Sequence, residues 1–314
     1  MKIVILDGYA SNPNDLSWQE IAQYGELTVY DRTAPQEVSE RIKDAQIVLL
    51  NKTPLCAQVI ENAKSLRMVG VLATGYNVVD IEAAKRCGIT VCNVPGYSTY
   101  AVAQMTMALL LECTQQVGLH NAAIHAGQWQ NSKDFCFWNA PLTELYGKTM
   151  GIVGCGAIGS AVAKAAEAFG MRVLLTARTP RDAKNYVNLE TLLNQSDVVS
   201  LHCPQTAENL HMINEKTLAM MKDGAILLNT ARGGLIDEQA VCAALERGKL
   251  AYYAADVVSK EPISAENPLL QAKNCILTPH IAWAPKETRE RLHYITAENI
   301  RAFLAGKAQN VVNP

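Results

Sequence analysis

Nine cysteines are present, yet none forms a C-x-x-C pair, and their scatter excludes a zinc knuckle or a stapled secreted scaffold. Cys87, Cys92, Cys155 and Cys203 therefore read as small buried hydrophobes in a reducing compartment. A second absence is any long apolar run. The longest, 101–111, is interrupted by Gln104 and Thr106 and stops at Glu112, well short of the ~20 residues that span a bilayer. No basic stripe occurs, and the formal net charge of −2 gives nucleic acid or an anionic membrane no electrostatic handle. The first residues, Met1 to Asp7, run straight into a strand-like segment with no separate charged leader. No nucleic-acid partner, no membrane and a cytoplasmic location are the resulting expectations. There is no internal repeat and no low-complexity segment, and the first half has no glycine fingerprint.

What remains is an ordinary α/β composition, 49% hydrophobic and 18% charged over 314 residues, long enough for two domains. Short apolar runs at 2–7, 27–30, 47–50, 67–73 and 89–94 alternate with polar, helix-like segments. One of these places Asp80 as N-cap and Gly88 just past its end. That alternation predicts a parallel sheet with helices on both faces. After Pro95-Gly96 a helix begins at Ser98 or Thr99 that is apolar nearly all round, and so is buried. Residues 125–147 show no clean period but concentrate Trp129, Phe135, Phe137 and Trp138, an aromatic arm suited to a subunit interface.

A glycine-rich turn lies mid-chain. Gly154-Cys155-Gly156-Ala157-Ile158-Gly159 follows the apolar run 149–153 and opens a helix-like run at 160–169. Strand, turn and helix in that order suit a dinucleotide pyrophosphate: the first glycine makes the turn, the second admits the phosphates, the third packs helix on strand. Further strands are predicted at 172–177, 197–202, 225–230, 252–257 and 275–278, with Asp237 capping a helix that ends near Arg247-Gly248. A last amphipathic helix over 286–305, with Leu292, Ile295, Ile300, Phe303 and Leu304 as its inner stripe, is expected to return to the first domain.

In open α/β sheets ligands lie beyond the carboxyl ends of the strands. There the last three strands deliver Arg232, Glu261 and His280. An arginine forks onto a carboxylate, a histidine moves a proton, and a glutamate orients that histidine. Each could be a bland surface group, but three together at one sheet edge form a functional set.

The Arg-Gly-Gly, Glu-Pro and Pro-His segments that hold them, together with the central fingerprint and the split first domain, resemble the D-isomer-specific 2-hydroxyacid dehydrogenases over essentially the whole chain. Segments 72–77, 94–98 and 135–138 are similar to the glycerate dehydrogenase (hydroxypyruvate reductase) subgroup. The resemblance implies two doubly wound parallel-sheet domains: a Rossmann domain (99–285) inserted into a smaller flavodoxin-like substrate domain (1–98 and 286–314). It implies reduction of a small 2-keto acid, with hydride from NAD or NADP in reduced form. His280 would be the acid, Glu261 its partner, and Arg232 the carboxylate anchor. Backbone N–H groups at Thr74 and Gly75 would complete substrate binding, with Thr74 also near the cofactor. Gly154, Gly156, Ala157, Ile158 and Gly159 would meet the pyrophosphate, while Cys203, Thr230 and Asp256 match positions along the nicotinamide half. A homodimer through the arm at 125–147 is implied as well. Asn51, Tyr76, Trp283 and Trp138 would set pocket volume.

One departure from the family pattern concerns the adenine ribose. An NAD-specific fold places a carboxylate at the end of the second strand. Here Ala177 stands in that place, followed by Arg178 and, nearby, Arg181, which leans toward NADP use. An alternative of a different class is an NADH-sensing corepressor-type binding protein of the same fold, which keeps the triad but usually carries disordered extensions.

Overall fold

The computed structural model describes residues 1–179 and 185–314, so Arg181 lies outside the described residues. The chain divides into two compact units, Met1–Ser98 with Trp283–Pro314, and Thr99–Ala282.

In the first unit, β1 (Lys2–Ile5), β2 (Glu26–Val29), β3 (Ile47–Leu50), β4 (Met68–Val71) and β5 (Thr90–Cys92) form one parallel sheet in the order β2-β1-β3-β4-β5. Its helices are α1 (Gln19–Ala22), α2 (Val38–Ile42), α3 (Ala57–Asn62), α4 (Ile81–Arg86) and the C-terminal helix Lys286–Leu304. The inner strands β3 and β4 are apolar and buried throughout because both faces are covered, whereas the edge strand β2 keeps Glu26 and Thr28 exposed. Val4, Val48, Leu50, Val69 and Val71 pack with α2–α4, while the alternating Ile3, Ile5, Ile47, Leu49 and Met68 pack with Ile21, Leu292 and Ile300. Each such side chain stabilises the fold by roughly 1.5–3 kcal/mol when fully buried.

Two details of this unit differ from the sequence expectation. Cys87 is exposed at the end of α4, whereas Cys92 is buried. In the C-terminal helix Leu304 faces solvent, and polar residues share the buried face: Thr288, Arg289, His293, Thr296 and Asn299. Arg289 is tolerated there because Asp15 takes it in a two-point pair at 2.7 and 2.7 Å.

The second unit opens with α5 (Thr99–Gln115) and α6 (Val117–His125). There follow β6 (Thr149–Val153), α7 (Ala157–Ala168), β7 (Arg172–Thr176), α8 (Leu189–Gln195), β8 (Val198–Leu201), α9 (Glu215–Met220), β9 (Ala225–Asn229), α10 (Glu238–Glu246), β10 (Leu250–Ala255) and β11 (Cys275–Leu277). The six strands are parallel in the order β11-β10-β9-β8-β6-β7. Outside β7 a single parallel bridge, Leu175 to Tyr186, holds the position of a further edge strand. Counting that rudiment, the order matches the dinucleotide-binding arrangement in which the chain reverses beside the first strand. The buried face of α5 (Ala103, Met107, Leu109, Leu110, Cys113) joins Val162, Ala166 and Ile152 in one core. No described helix is long and apolar enough to cross a membrane.

Candidate functional site

The fingerprint turn is shaped by what its glycines leave out. Gly154 sits at φ +99°, and a Cβ there would lie 2.5 Å from the Cys203 backbone nitrogen. A Cβ on Gly159 would lie 2.1 Å from the Gly154 carbonyl oxygen, so helix α7 rests directly on the turn that follows β6. Gly156 differs: its Cβ would meet nothing within 4 Å. It is also the N-cap of α7, with no side chain to occupy the helix start. Ala157 and Ile158, in the first turn, carry N–H groups that have no partner inside the helix. Backbone open to approach, free donors and a helix N-terminus fit a dinucleotide pyrophosphate.

Loops after the neighbouring strands flank that turn. After β7, Ala177 is half-buried and Arg178 exposed. After β8, Cys203 lies 3.9 Å from the Met212 sulfur, and burial pushes its thiol pKa up. The same loop brings in Glu208, which the sequence reading missed. Its carboxyl is held below the usual range mainly by the Thr206 hydroxyl, with the charge of Arg178 adding to the effect. After β9, Thr230 is buried, its hydroxyl 2.9 Å from that of Thr106 on α5.

Arg232, Glu261 and His280 all stand beyond the carboxyl ends of β9, β10 and β11, on one edge of one sheet. His280 Nδ1 is 2.6 Å from Glu261 Oε2, with both side chains about one-third exposed or less, at 26% and 35%. Glu261 Oε1 accepts a long bond from the Val258 N–H, at 3.4 Å. The Arg232 guanidinium donates to the Ala231 carbonyl at 2.7 Å and forms no ion pair among the described residues. Its turn is fixed by Asn229, fully buried, which donates to the Arg232 carbonyl at 2.9 Å and accepts from the Ala231 N–H at 3.1 Å. A guanidinium without an acidic partner among the described residues, at the same sheet edge as an imidazole–carboxylate pair, can hold an organic anion and pass it a proton.

Asp256, expected along the nicotinamide half, is 1% exposed and has a structural task as well. Its carboxylate accepts from the Thr278 hydroxyl at 2.6 Å, the Ile281 N–H at 2.9 Å and the Ala282 N–H at 2.8 Å. Those donors bracket His280, which adopts a left-handed backbone at φ +55°. Nothing in the local sequence announces this bracing, because the acceptor follows β10 and the donors follow β11, more than twenty residues on. Thr74 and Gly75 belong to the first unit, in the loop after β4, where the Thr74 hydroxyl donates to the Val94 carbonyl at 3.0 Å. Asn51, Tyr76 and Trp283 are also in that unit, and Trp138 stands exposed in the arm of the second.

Residues 107–282 match the family model described as D-isomer specific 2-hydroxyacid dehydrogenase, NAD binding domain. The chain belongs to this family. It is 52% identical to a hydroxypyruvate reductase of Blautia hydrogenotrophica, covering all of both chains. It is 40% identical to a glycerate dehydrogenase of Methylorubrum extorquens over 99% of this chain and 98% of the other. Among solved structures, an acyclic imino acid reductase in complex with NADPH and D-Arg superposes with a TM-score of 0.87 at 32% identity, covering 99% of this chain and all of that one. Family membership makes the protein an NAD(P)-dependent oxidoreductase. The strand order described above is the Rossmann framework of its NAD-binding domain.

Proposed function

We propose that the protein reduces a small 2-keto acid of the hydroxypyruvate or glyoxylate type to the D-2-hydroxy acid. The observation that carries the reading is the 2.6 Å His280–Glu261 pair beside Arg232, at one edge of an NAD-binding sheet. NAD(P)H, when bound, supplies the hydride. Arg232 binds the substrate carboxylate and polarises the keto group. His280 gives its proton to the keto oxygen, and Glu261 holds the imidazole in place. The names of the relatives, hydroxypyruvate reductase and glycerate dehydrogenase, support this substrate class and favour an enzyme over a corepressor-type binding protein.

NADPH serves at least as well as NADH in this proposal. Arg178 offers a cation where Ala177 leaves no carboxylate to repel a 2′-phosphate, and a charged hydrogen bond of about 1.5–3 kcal/mol corresponds to roughly 10- to 150-fold in efficiency. A homodimer through the arm is part of the same reading, supported by the exposure of Phe135 (89%), Tyr146 (76%) and Trp138 (66%). The free thiols of all nine cysteines agree with a cytoplasmic protein.

The test is a panel of 2-keto acids assayed with both cofactors. Hydroxypyruvate or glyoxylate should lead, and a strong NADH preference would end the NADP lean. His280→Ala should lower kcat by about 10²–10⁴-fold and leave cofactor affinity nearly intact. Turnover at the wild-type rate in that variant would overturn the assignment of roles.

A further inference from the structure

Glu238 has no place in the chemistry above, yet its carboxylate fastens the loop that presents Glu261. Oε1 accepts from the Ser259 N–H at 2.8 Å, and Oε2 accepts from the Ser259 hydroxyl at 2.8 Å and the Asn267 amide at 2.9 Å. Ser259 precedes Glu261 and Asn267 follows it, so one carboxylate grips the loop on both sides. The grip is firmly based. Glu238 opens α10, and Asp237 caps that helix by accepting from the Gln239 and Ala240 N–H groups at 3.0 and 3.1 Å. Asn267 is buried and itself caps the short helix that follows, through the Leu269 N–H at 3.0 Å.

The Arg232 turn is locked to the same loop. A Cβ on Gly233 would lie 1.9 Å from the Val258 carbonyl carbon and 2.4 Å from the Ser259 nitrogen, so backbone lies directly on backbone. Bonds to an ionised acceptor are the stronger kind, and three converge here on one side chain.

We infer that Glu238 is a positioning residue of the reaction: by clamping Ser259 and Asn267 it sets Glu261 at bonding distance from His280 Nδ1. The inference rests on the triad reading of His280 and Glu261. Misplacement of a reacting group by about 1 Å costs up to ~10²-fold in rate, so a loosened clamp should act on kcat.

Glu238→Gln is the probe, because it keeps the shape but turns a donor toward the Ser259 and Asn267 donors. Expected is a kcat lower by about 10- to 100-fold, with KM for the keto acid and cofactor Kd within about threefold, since the Glu238 carboxylate is engaged by Ser259 and Asn267. The deciding measurement adds the same change to Glu261→Gln. Residues that act through one another are not additive, so Glu238→Gln should then cost less than about twofold. Its full factor in both backgrounds, or no loss of kcat in the single variant, overturns the proposal while leaving the triad standing. Wild-type turnover by Glu261→Gln alone removes the triad reading and this proposal with it. Should Glu238→Gln fail to fold, Ser259→Ala removes one of the three bonds. It should give a few-fold loss of kcat that likewise vanishes in the Glu261→Gln background, and persistence of that loss counts against the clamp.

Discussion

The two sheets treat the same topological place in opposite ways. In each, the first strand of the unit lies between the second and the third, and the chain's reversal there opens the natural ligand position of a doubly wound sheet. In the first unit Asp7 fills it. Its carboxylate accepts from the backbone N–H groups of Asn51, Lys52 and Thr53 at 2.7, 2.6 and 2.7 Å, and from the Thr53 hydroxyl at 2.9 Å. In the second unit the residue after the first strand is Gly154, and the neighbouring loop meets it through backbone alone. A side-chain anion has taken the donors that an outside anion would need in one sheet, while glycines keep the donors of the other free. Topology makes the place; one side chain decides whether it binds a ligand.

The contrast breaks first at Gly156. Its φ of −76° suits any residue and its Cβ direction is open, so Gly156→Ala should cost the fold less than about 1 kcal/mol. The added methyl enters the space that a pyrophosphate needs, and a cofactor Kd raised about 10- to 100-fold, or 1.4–2.8 kcal/mol, is expected by fluorescence titration. Unchanged affinity would mean that the turn does not face the cofactor. Asp7→Asn is the converse experiment. It sets an amide donor against four donors, and a loss of about 1–3 kcal/mol in urea unfolding is expected, with cofactor Kd within about twofold. If affinity fell instead and stability held, the Asp7 loop would be serving the ligand and the comparison would fail.

How legible this was from sequence depends on how local each cause is. Buried parallel strands read as apolar runs, so 47–50 was placed to the residue and the others to within a few. Caps such as Asp80 and Asp237 announce themselves in four residues, and both accept from the expected N–H groups. Helix α6 escaped because none of its residues is buried: Val117, Leu119 and Ile124 face outward, and a helix without an inner face has no periodic signal. The C-terminal helix was found but its face was misjudged, since Arg289 and His293 are buried through Ser11, Asp15 and Trp18, all in the segment before α1. Within the site, Arg232, Glu261 and His280 could be named from strand ends. Of the supports beneath them, Asn229 is local, tying its turn within three residues, whereas Glu238 and Asp256 act across loops, and no local pattern encodes that.

The smallest expected effect tests whether the units also differ in acid. Each holds a histidine that burial keeps neutral. In the second unit His202 is pushed down to about 4, its Nδ1 buried without a partner among the described residues. In the first, His293 is also pushed down to about 4, chiefly by burial and then by the Arg289 charge, with Asp15 opposing. It stacks on Trp18 at 4.3 Å, and its Nε2 lies 3.3 Å from the Ser11 hydroxyl, which donates to the Gly8 carbonyl; that order makes Nε2 the protonated nitrogen of a neutral ring. A folded pKa below the unfolded 6.5 means that the unfolded chain binds the extra proton first. The stability is therefore intact above about pH 6.5 and lost progressively as pH falls toward 4. Between pH 7.5 and 5 a single such histidine accounts for about 2 kcal/mol. His293→Asn should lose that part of the slope in urea unfolding at pH 7.5, 6 and 5, leaving the share that His202 imposes on the second unit. Parallel loss of stability in variant and wild type would show that His293 takes up its proton in the folded chain, and that the acid response belongs to the second unit alone.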